Sequence, residues 1–195
     1  AERQFRFPLE YGSMRTPTSQ WTVTGAGALI LAADAPAPYI TRVTTGRIVD
    51  MGITDTSNMG AAMAGAACDT LERHFEDTGR GVDYYDAVIT GDLGITGGDI
   101  LRELMGMDGL SLDARHFDCG GIIYDAESQG VCAGGSGCGC SASVLAGYVL
   151  DNLRSGVWKR VLFAATGALM SPTTSQQGES IPGICHAVSF EMERC

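Results

Sequence analysis

The chain has 195 residues, of which 45% are hydrophobic and 18% are charged, and its formal net charge is −10. This length accommodates one well-buried domain, or one domain and part of a second, and the hydrophobic content argues against disorder. The 13 lysines and arginines form no basic run, so the chain has nothing from which to build a surface for nucleic acid phosphates, and binding to an anionic membrane is disfavoured. No apolar stretch reaches the roughly 18 residues that span a bilayer.

The start of the chain and its cysteines indicate the compartment. Ala1 to Phe7 is polar and lacks the apolar segment of a secretory signal. The seven cysteines are an odd number, which favours a reducing compartment over a disulfide framework. Residues 1–20 show no regular pattern and no initiator Met, so we expect the chain to be part of a longer protein.

Two β-strands are predicted near the start of the chain. Trp21 to Leu31 is rich in residues that favour strands, with glycines where another backbone or a ligand comes close. A turn follows at Asp34 to Pro38, and Tyr39 to Met51 alternates enough to form a second strand. Because a short turn separates them, we expect the two strands to pair as a hairpin.

A long helix is predicted over Asp55 to Thr78, because its apolar residues recur at helical spacing. Asp55 or Ser57 is suited to cap its start, and Gly79 is suited to end it.

The rest of the chain alternates between strand-like and helix-like segments. The predicted strands are Asp86 to Thr90, Arg160 to Ala165 and Ala187 to Met192, and the predicted helices are Asp99 to Met105 and Val144 to Leu153. Such alternation predicts an α/β fold, with a mixed or parallel sheet and helices on both of its faces. We expect these three strands to lie in one sheet.

A glycine-rich loop that leads into a helix, Gly134 to Ser141, is the strongest local feature. Two interpretations are equally open: an anion-binding nest of backbone amides, or a place where backbone segments cross closely. The loop lacks the Gly-x-x-x-x-Gly-Lys of a P-loop and the glycine spacing of a dinucleotide fingerprint, so nucleotide binding is excluded.

The cysteines do not predict a metal site or a catalytic dyad. Cys132, Cys138 and Cys140 lack the paired Cys-x-x-Cys spacing of structural zinc sites, and we expect them to be small buried side chains. Cys185 and His186 are neighbours on a predicted strand, so their side chains point to opposite faces.

The histidines and one aspartate have ordinary interpretations. His186 lies in an apolar strand and is expected to be a core residue, whereas His74 is expected to be solvated. His116 is either paired with Asp118 or in a simple turn contact with it. Asp92 follows a buried strand, where α/β sheets place working residues, although it is equally suited to cap the next turn.

Several longer strings resemble the stage V sporulation protein AD family of spore-forming Firmicutes. They are Phe5–Pro8, Gln20–Ala28, Thr54–Gly60, Thr90–Gly94, Ala133–Ser141, and Ala165–Thr173 continuing into Gln176–Gly183. The resemblance covers essentially the whole chain, but only the C-terminal part of the longer family protein.

The resemblance implies a thiolase-like fold, in which two similar α/β halves enclose the reactive centre. Residues 1–48 would end the first half, with its last strand at Trp21 to Ala33, and residues 49–195 would form the second half. The cysteine nucleophile of the condensing enzymes would then lie upstream of this chain.

The polarising and proton-carrying groups of the condensing enzymes are also missing here. By the resemblance, Gly91–Gly94 stands where ketoacyl synthases carry a histidine. Gly134–Ser141 stands where the asparagine or a thiolase histidine is expected, and it contains neither. Thr166–Gly167 stands where thiolases carry a second cysteine, and it has none. Without these groups we expect no enzymatic activity. We also expect no cofactor.

The family is associated with dipicolinic acid and with the stage V sporulation A membrane complex. The implied function is non-catalytic binding of dipicolinic acid, free or as its calcium chelate, for its movement during sporulation and germination. We expect a homodimer when full length, peripheral at the cytoplasmic side of the forespore inner membrane through protein partners. The alternatives are an acyltransferase that uses an upstream cysteine, and a structural scaffold of the complex.

Loops that meet between the two halves in the superfamily would line the ligand site. The predicted ligand-binding residues are Gly134, Gly135, Ser136, Gly137, Ser141, Asp92, Thr166 and His186, with no metal ligand among them. A chain of net charge −10 repels a dianion at long range, so local amides or a ligand-bound Ca²⁺ would have to compensate.

Overall fold

A computed structural model of the chain describes residues 16–194. The strands are β1 (Trp21–Thr22), β2 (Tyr39–Thr44), β3 (Ala87–Thr90), β4 (His116–Asp118), β5 (Gly135–Ser136), β6 (Arg160–Ala168) and β7 (Gly183–Glu191). The α-helices are α1 (Met59–Thr78), α2 (Gly94–Met107), α3 (Cys119–Ile122), α4 (Ala126–Gln129), α5 (Cys140–Val144), α6 (Leu150–Arg154) and α7 (Pro172–Gln176). A π-helical turn at Leu145–Val149 joins α5 to α6.

Five strands form one mixed sheet in the order β2-β7-β6-β3-β4. β3 runs parallel to both β4 and β6, whereas β7 runs antiparallel to β6 and β2. The three segments expected to share a sheet, which became β3, β6 and β7, do so. The predicted α/β class with a mixed sheet is therefore confirmed.

Both faces of this sheet are apolar and covered by helices. Val88 and Leu162 pack in one cluster with residues of α1 and α2. Ile89 and Phe163, each one position further along, pack in a second cluster with residues of the α5 to α6 segment. Because neighbouring strand residues point to opposite faces, one continuous run of apolar residues supplies both clusters. The prediction of helices on both faces is confirmed.

The helix boundaries differ from the predictions at their starts. Asn58 caps α1 by accepting a hydrogen bond from the Ala61 amide at 3.2 Å, rather than Asp55 or Ser57. Gly79 ends α1 in the left-handed conformation, with φ of 65°, as predicted. α2 begins at Gly94, five residues before the predicted Asp99. Gly97 and Gly98 lie within the helix and do not interrupt it. No helix among residues 16–194 is both long enough and apolar enough to cross a membrane.

The predicted hairpin near the start of the chain is wrong. β1 is only two residues long and pairs in parallel with β5, and β2 pairs with β7. The alternation of residues predicts which segments form strands, but it does not identify the strand with which each one pairs. Here β2 pairs with the edge of β7 that β6 leaves open. Residues 39–44 thus belong to the same sheet as the strands of the proposed second half.

His74 is buried, so the expectation that it is solvated is wrong. Its Nδ1 lies 2.8 Å from the Thr44 hydroxyl, and its Nε2 lies 2.7 Å from the Tyr85 hydroxyl, which is 2.9 Å from Ser189 Oγ. Burial lowers the pKa of His74 from 6.5 to about 4, with a smaller effect of Arg80. The neutral ring therefore connects α1 to the sheet through hydroxyl groups.

We predict that His74 contributes to acid unfolding. Because its folded pKa lies below 6.5, its contribution is present above pH 6.5 and is lost as the pH falls towards 4, a change of about 3 kcal/mol in the free energy of unfolding. In His74→Gln this change disappears, and the free energy of unfolding becomes less dependent on pH over this interval. Urea unfolding of the purified protein at pH 4.5, 5.5, 6.5 and 7.5 measures it.

The matched control is His186→Gln, because His186 is exposed and its replacement is expected to change the free energy of unfolding by about 0.5 kcal/mol or less. A His74→Gln protein with the same pH dependence as the wild type would contradict the assignment.

Candidate functional site

The turn after β3 meets the end of β6 and the glycine-rich loop at Asp92. The Asp92 Oδ1 accepts a hydrogen bond from the Thr166 hydroxyl at 3.0 Å, and its Oδ2 accepts one from the Gly137 amide at 3.0 Å. The Asp92 amide donates to Thr166 Oγ1 at 3.1 Å. The structure thus brings together Asp92, Thr166 and Gly137 at the carboxyl ends of two parallel strands, a usual position for a site in an α/β sheet.

The glycine-rich loop is a place where backbone segments cross closely. The Trp21 amide donates to Gly134 O, and the Val23 amide donates to Ser136 O. Gly134 has φ of 98°, and a Cβ atom there would lie 2.3 Å from the carbonyl oxygen of Gly120. Of the two interpretations of the loop, the crossing of backbones is therefore confirmed, and the binding of a ligand stays a prediction.

Ser136 carries a buried hydroxyl that has no hydrogen-bond partner in residues 16–194. Its side chain is fully buried, and its Oγ makes no hydrogen bond among the described residues. Ser19 Oγ and Gln20 Oε1 are also buried without a hydrogen-bond partner among the described residues. Gln20 Nε2, in contrast, donates to Gly135 O at 3.2 Å. Buried polar atoms without a partner are rare in proteins and commonly bind water or a ligand. Three of them therefore surround the contact between β1 and β5.

Two predicted site residues lie at the margin of this junction. Ser141 is half-buried in the first turn of α5. His186 is exposed, and its Nδ1 accepts a hydrogen bond from the Gly46 amide at 3.1 Å. It lies opposite Ala165 in the sheet, so its side chain points to the other face from Thr166. The expectation that His186 is a core residue is therefore wrong. Cys185 is fully buried, so the prediction that the side chains of Cys185 and His186 point to opposite faces is confirmed.

Asp118 lies beside this junction, and the sequence analysis considered it only as a partner of His116. Its buried carboxylate accepts five hydrogen bonds: Oδ1 from the amides of Gly94, Gly120 and Gly121, and Oδ2 from the Leu93 amide and the Thr90 hydroxyl. Burial raises its pKa to about 6, and the Thr90 hydroxyl and the Gly94 amide oppose this rise. At neutral pH it is therefore ionised. The available signal was an Asp at the end of a short strand immediately before Cys-Gly-Gly, which is typical of a helix cap.

His116 and Asp118 are linked through a shared hydroxyl rather than by a direct pair. His116 Nε2 lies 3.0 Å from Thr90 Oγ1, and its Nδ1 lies 2.9 Å from Arg102 Nη1. Because arginine only donates, Nδ1 is the acceptor and the ring is neutral with its proton on Nε2. Burial, reinforced by Arg102, lowers the pKa of His116 to about 4. This histidine supports Asp118 and does not point towards Asp92.

The cysteines near the loop are not uniformly buried, which corrects the expectation for Cys132 and Cys138. Cys138 is exposed and Cys132 is half-buried, because both lie in the turns of the loop, and only Cys140 is buried. Burial, together with Asp92 and Asp118, raises the pKa of Cys140 to about 12. Its thiol is therefore protonated at neutral pH.

One group of potential metal ligands occurs elsewhere among the described residues. Single ligand atoms of Cys68, Glu72 and Asp108 lie within 4.8 Å of one another. Asp108 follows α2, whereas Asp92 precedes it, and a 14-residue helix is about 21 Å long. Burial, followed by the charge of Glu72, raises the pKa of Cys68 to about 12. The group is separate from the junction around Asp92.

Two cavities in the described structure lie away from the glycine-rich loop. One, of about 810 Å³, is lined mainly by residues 29–42 with Leu150, Phe190 and Arg194. A second, of about 380 Å³, lies beside Tyr84, Lys159 and Glu191. The junction around Asp92 is closed by its own hydrogen bonds in this conformation.

The fold and this junction define an α/β protein with a polar, glycine-rich junction at the carboxyl ends of parallel strands. The sequence model described as Stage V sporulation protein AD matches residues 1–191, and the chain belongs to this family. It is 48% identical over 191 residues to Stage V sporulation protein AD of Bacillus subtilis (strain 168), an alignment that covers 98% of this chain and 56% of the relative. The chain therefore spans about half the length of that relative.

We predict that Asp118→Asn destabilises the protein by about 3 kcal/mol, because the side-chain amide would leave donors such as the Leu93 amide buried without an acceptor. Thermal or urea unfolding of the full-length protein measures it. Asp125→Asn is the matched control: Asp125 caps α4 at the surface, and asparagine caps a helix about equally well. An Asp118→Asn protein as stable as the control would show that the five hydrogen bonds contribute little.

Proposed function

We propose that this chain is the ligand-binding part of a sporulation protein that binds dipicolinic acid, pyridine-2,6-dicarboxylate, and catalyses no reaction on it. Membership of the family and the resemblance described above supply the ligand. The observation that carries the proposal is the junction itself: the buried Ser136 hydroxyl, which has no hydrogen-bond partner in the described part of the chain, lies in the same loop as the Gly137 amide, which already binds a carboxylate.

The chemistry of the junction suits a carboxylate. The Asp92 side chain shows that the Gly137 amide and the Thr166 hydroxyl can together hold one carboxylate group, each at 3.0 Å. The Ser136 hydroxyl offers a further donor, and hydrogen bonds to an ionised acceptor are stronger than those between neutral groups. Because Ser136 is fully buried, a ligand that reaches it requires the loop to move.

The charge of the protein favours a neutralised ligand. The net charge of −10 opposes the approach of a free dianion, and Asp92 and Asp118 add two carboxylates beside the junction. A calcium chelate of dipicolinic acid carries no net charge, so the same opposition does not apply to it. We therefore include both the free ligand and its calcium chelate in the proposal.

The absence of catalysis is supported by the state of the histidines and thiols that the structure describes. His74 and His116 are buried and have pKa values of about 4, and burial raises the pKa of Cys185 to about 12. A nucleophile and a base need pKa values closer to neutral pH and mutual contact. None of these three groups is prepared for acyl transfer.

The proposal also includes the setting of the protein. The mixed sheet with helices on both faces supports a thiolase-like second half formed by residues 49–195, with residues 1–48 ending the first half and contributing β2 to the edge of the same sheet. By the resemblance we place the full-length protein, as a homodimer, at the cytoplasmic side of the spore inner membrane with other proteins of the stage V sporulation A complex.

Ser136→Ala provides the test of the binding site. We predict that calorimetry of the full-length protein with dipicolinic acid, with and without Ca²⁺, gives saturable binding, and that Ser136→Ala weakens it about tenfold through the lost hydrogen bond. The stability of the variant should be unchanged or higher, since the hydroxyl makes no hydrogen bond to any described residue that could be lost. A glycine substitution is less suitable, because a Cβ atom at Gly135 would lie within 2.9 Å of Ile123 and Tyr124.

Ser128→Ala is the matched control for this experiment, because Ser128 is exposed on α4 and should leave the affinity unchanged. Equal affinities for wild type and Ser136→Ala would remove this hydroxyl from the site. Absence of binding by wild-type protein in both titrations would refute the proposed function and favour the scaffold alternative.

The acyltransferase alternative has its own test. We predict that the full-length protein does not turn over acetyl-CoA or an acyl carrier substrate, because the second half lacks the groups that polarise the thioester carbonyl. The assay follows release of the free thiol. Turnover that disappears when the upstream cysteine is replaced would establish the alternative.

A further inference from the structure

Asp92 uses all four of its hydrogen-bonding atoms to hold the junction closed. Its carbonyl oxygen accepts from Gln20 Nε2 at 3.0 Å, and its amide donates to Thr166 Oγ1 at 3.1 Å. Its two carboxylate oxygens accept from Thr166 Oγ1 and from the Gly137 amide. The side chain therefore occupies the donors that the proposed function assigns to a ligand.

We propose that the Asp92 carboxylate is an internal competitor of the ligand, so that Asp92 determines the affinity and charge preference of the site. This inference rests on the proposed function, because it concerns the same donors. A ligand carboxylate gains the Gly137 amide only when the Asp92 carboxylate leaves it.

The competition follows from the number of donors and from charge. The Gly137 amide has one hydrogen, and the Thr166 hydroxyl has one, so neither serves two carboxylates fully at the same time. Two carboxylates at one site also repel each other. Asp118 strengthens this effect, because it binds the amide of Leu93, the residue next to Asp92. The junction is thus biased towards its closed form until a ligand displaces Asp92.

Asp92→Asn separates the charge of this side chain from its shape. The asparagine oxygen can still accept from Thr166 or Gly137, while the negative charge is lost. Calorimetry of the full-length protein with dipicolinic acid in the absence of Ca²⁺ is expected to give a Kd about tenfold lower for Asp92→Asn than for wild type. Asp151→Asn, an exposed position on α6, makes the same change of net charge and should leave the Kd unchanged.

Each outcome decides between the inference and the proposed function. A folded Asp92→Asn protein with unchanged or weaker binding, beside a wild type that binds, overturns the inference and leaves the proposed function. Equal gains in Asp92→Asn and Asp151→Asn also overturn it, because net charge would then explain the effect. Absence of binding by all three proteins without Ca²⁺ overturns the inference, and absence of binding in the presence of Ca²⁺ as well overturns both. If Asp92→Asn does not fold, Asp92→Ser, which is shorter and neutral, is titrated with the same criteria.

Discussion

The buried carboxylate of Asp118 holds together the part of the molecule on which the site depends. It joins the end of β4 to Thr90 at the end of β3, to the start of α2 and to the two glycines of α3. Gly120 in turn packs so closely on the glycine-rich loop that a Cβ atom there would lie 2.0 Å from the carbonyl oxygen of Gly135. One ionised group therefore fixes the relative positions of two strands, two helices and the loop.

The glycines around this carboxylate are required by contact more than by flexibility. Gly134 faces the backbone of Gly120, Gly120 faces the backbone of Gly135, and a side chain on Gly134 or Gly120 would collide with a carbonyl oxygen. The same loop presents the Gly137 amide to Asp92. Close backbone packing and an amide that donates to a carboxylate thus come from one glycine-rich segment, so the close crossing of backbones does not preclude a carboxylate-binding amide in the same loop.

Apolar periodicity was sufficient to predict which segments form strands, but not which strands pair with each other. The strands β3, β6 and β7 and the helix α1 are strongly patterned, so their existence and type follow from burial on one or two faces. The pairing of β2 with β7 does not, because the pattern contains no information on which strand lies alongside. The burial of His74 was missed for a similar reason: its partners Thr44, Tyr85 and Ser189 come from three distant segments. Asp92 and Thr166 could be placed at strand ends, but their mutual contact required the fold.

The short pairing of β1 with β5 has a consequence for local unfolding. Gln20 reaches Gly135 across 115 positions of the chain, whereas β1 itself contributes only two residues to the contact. Closing so long a loop costs conformational entropy that a few hydrogen bonds must offset, while the five-stranded sheet is stabilised by two large apolar clusters. The segment around β1 therefore belongs to the low-stability end of the molecule, where structure opens without global unfolding. Gln20 in this segment also donates to the Asp92 carbonyl oxygen. Local opening of the segment therefore loosens the junction around Asp92 while the sheet beneath it stays intact.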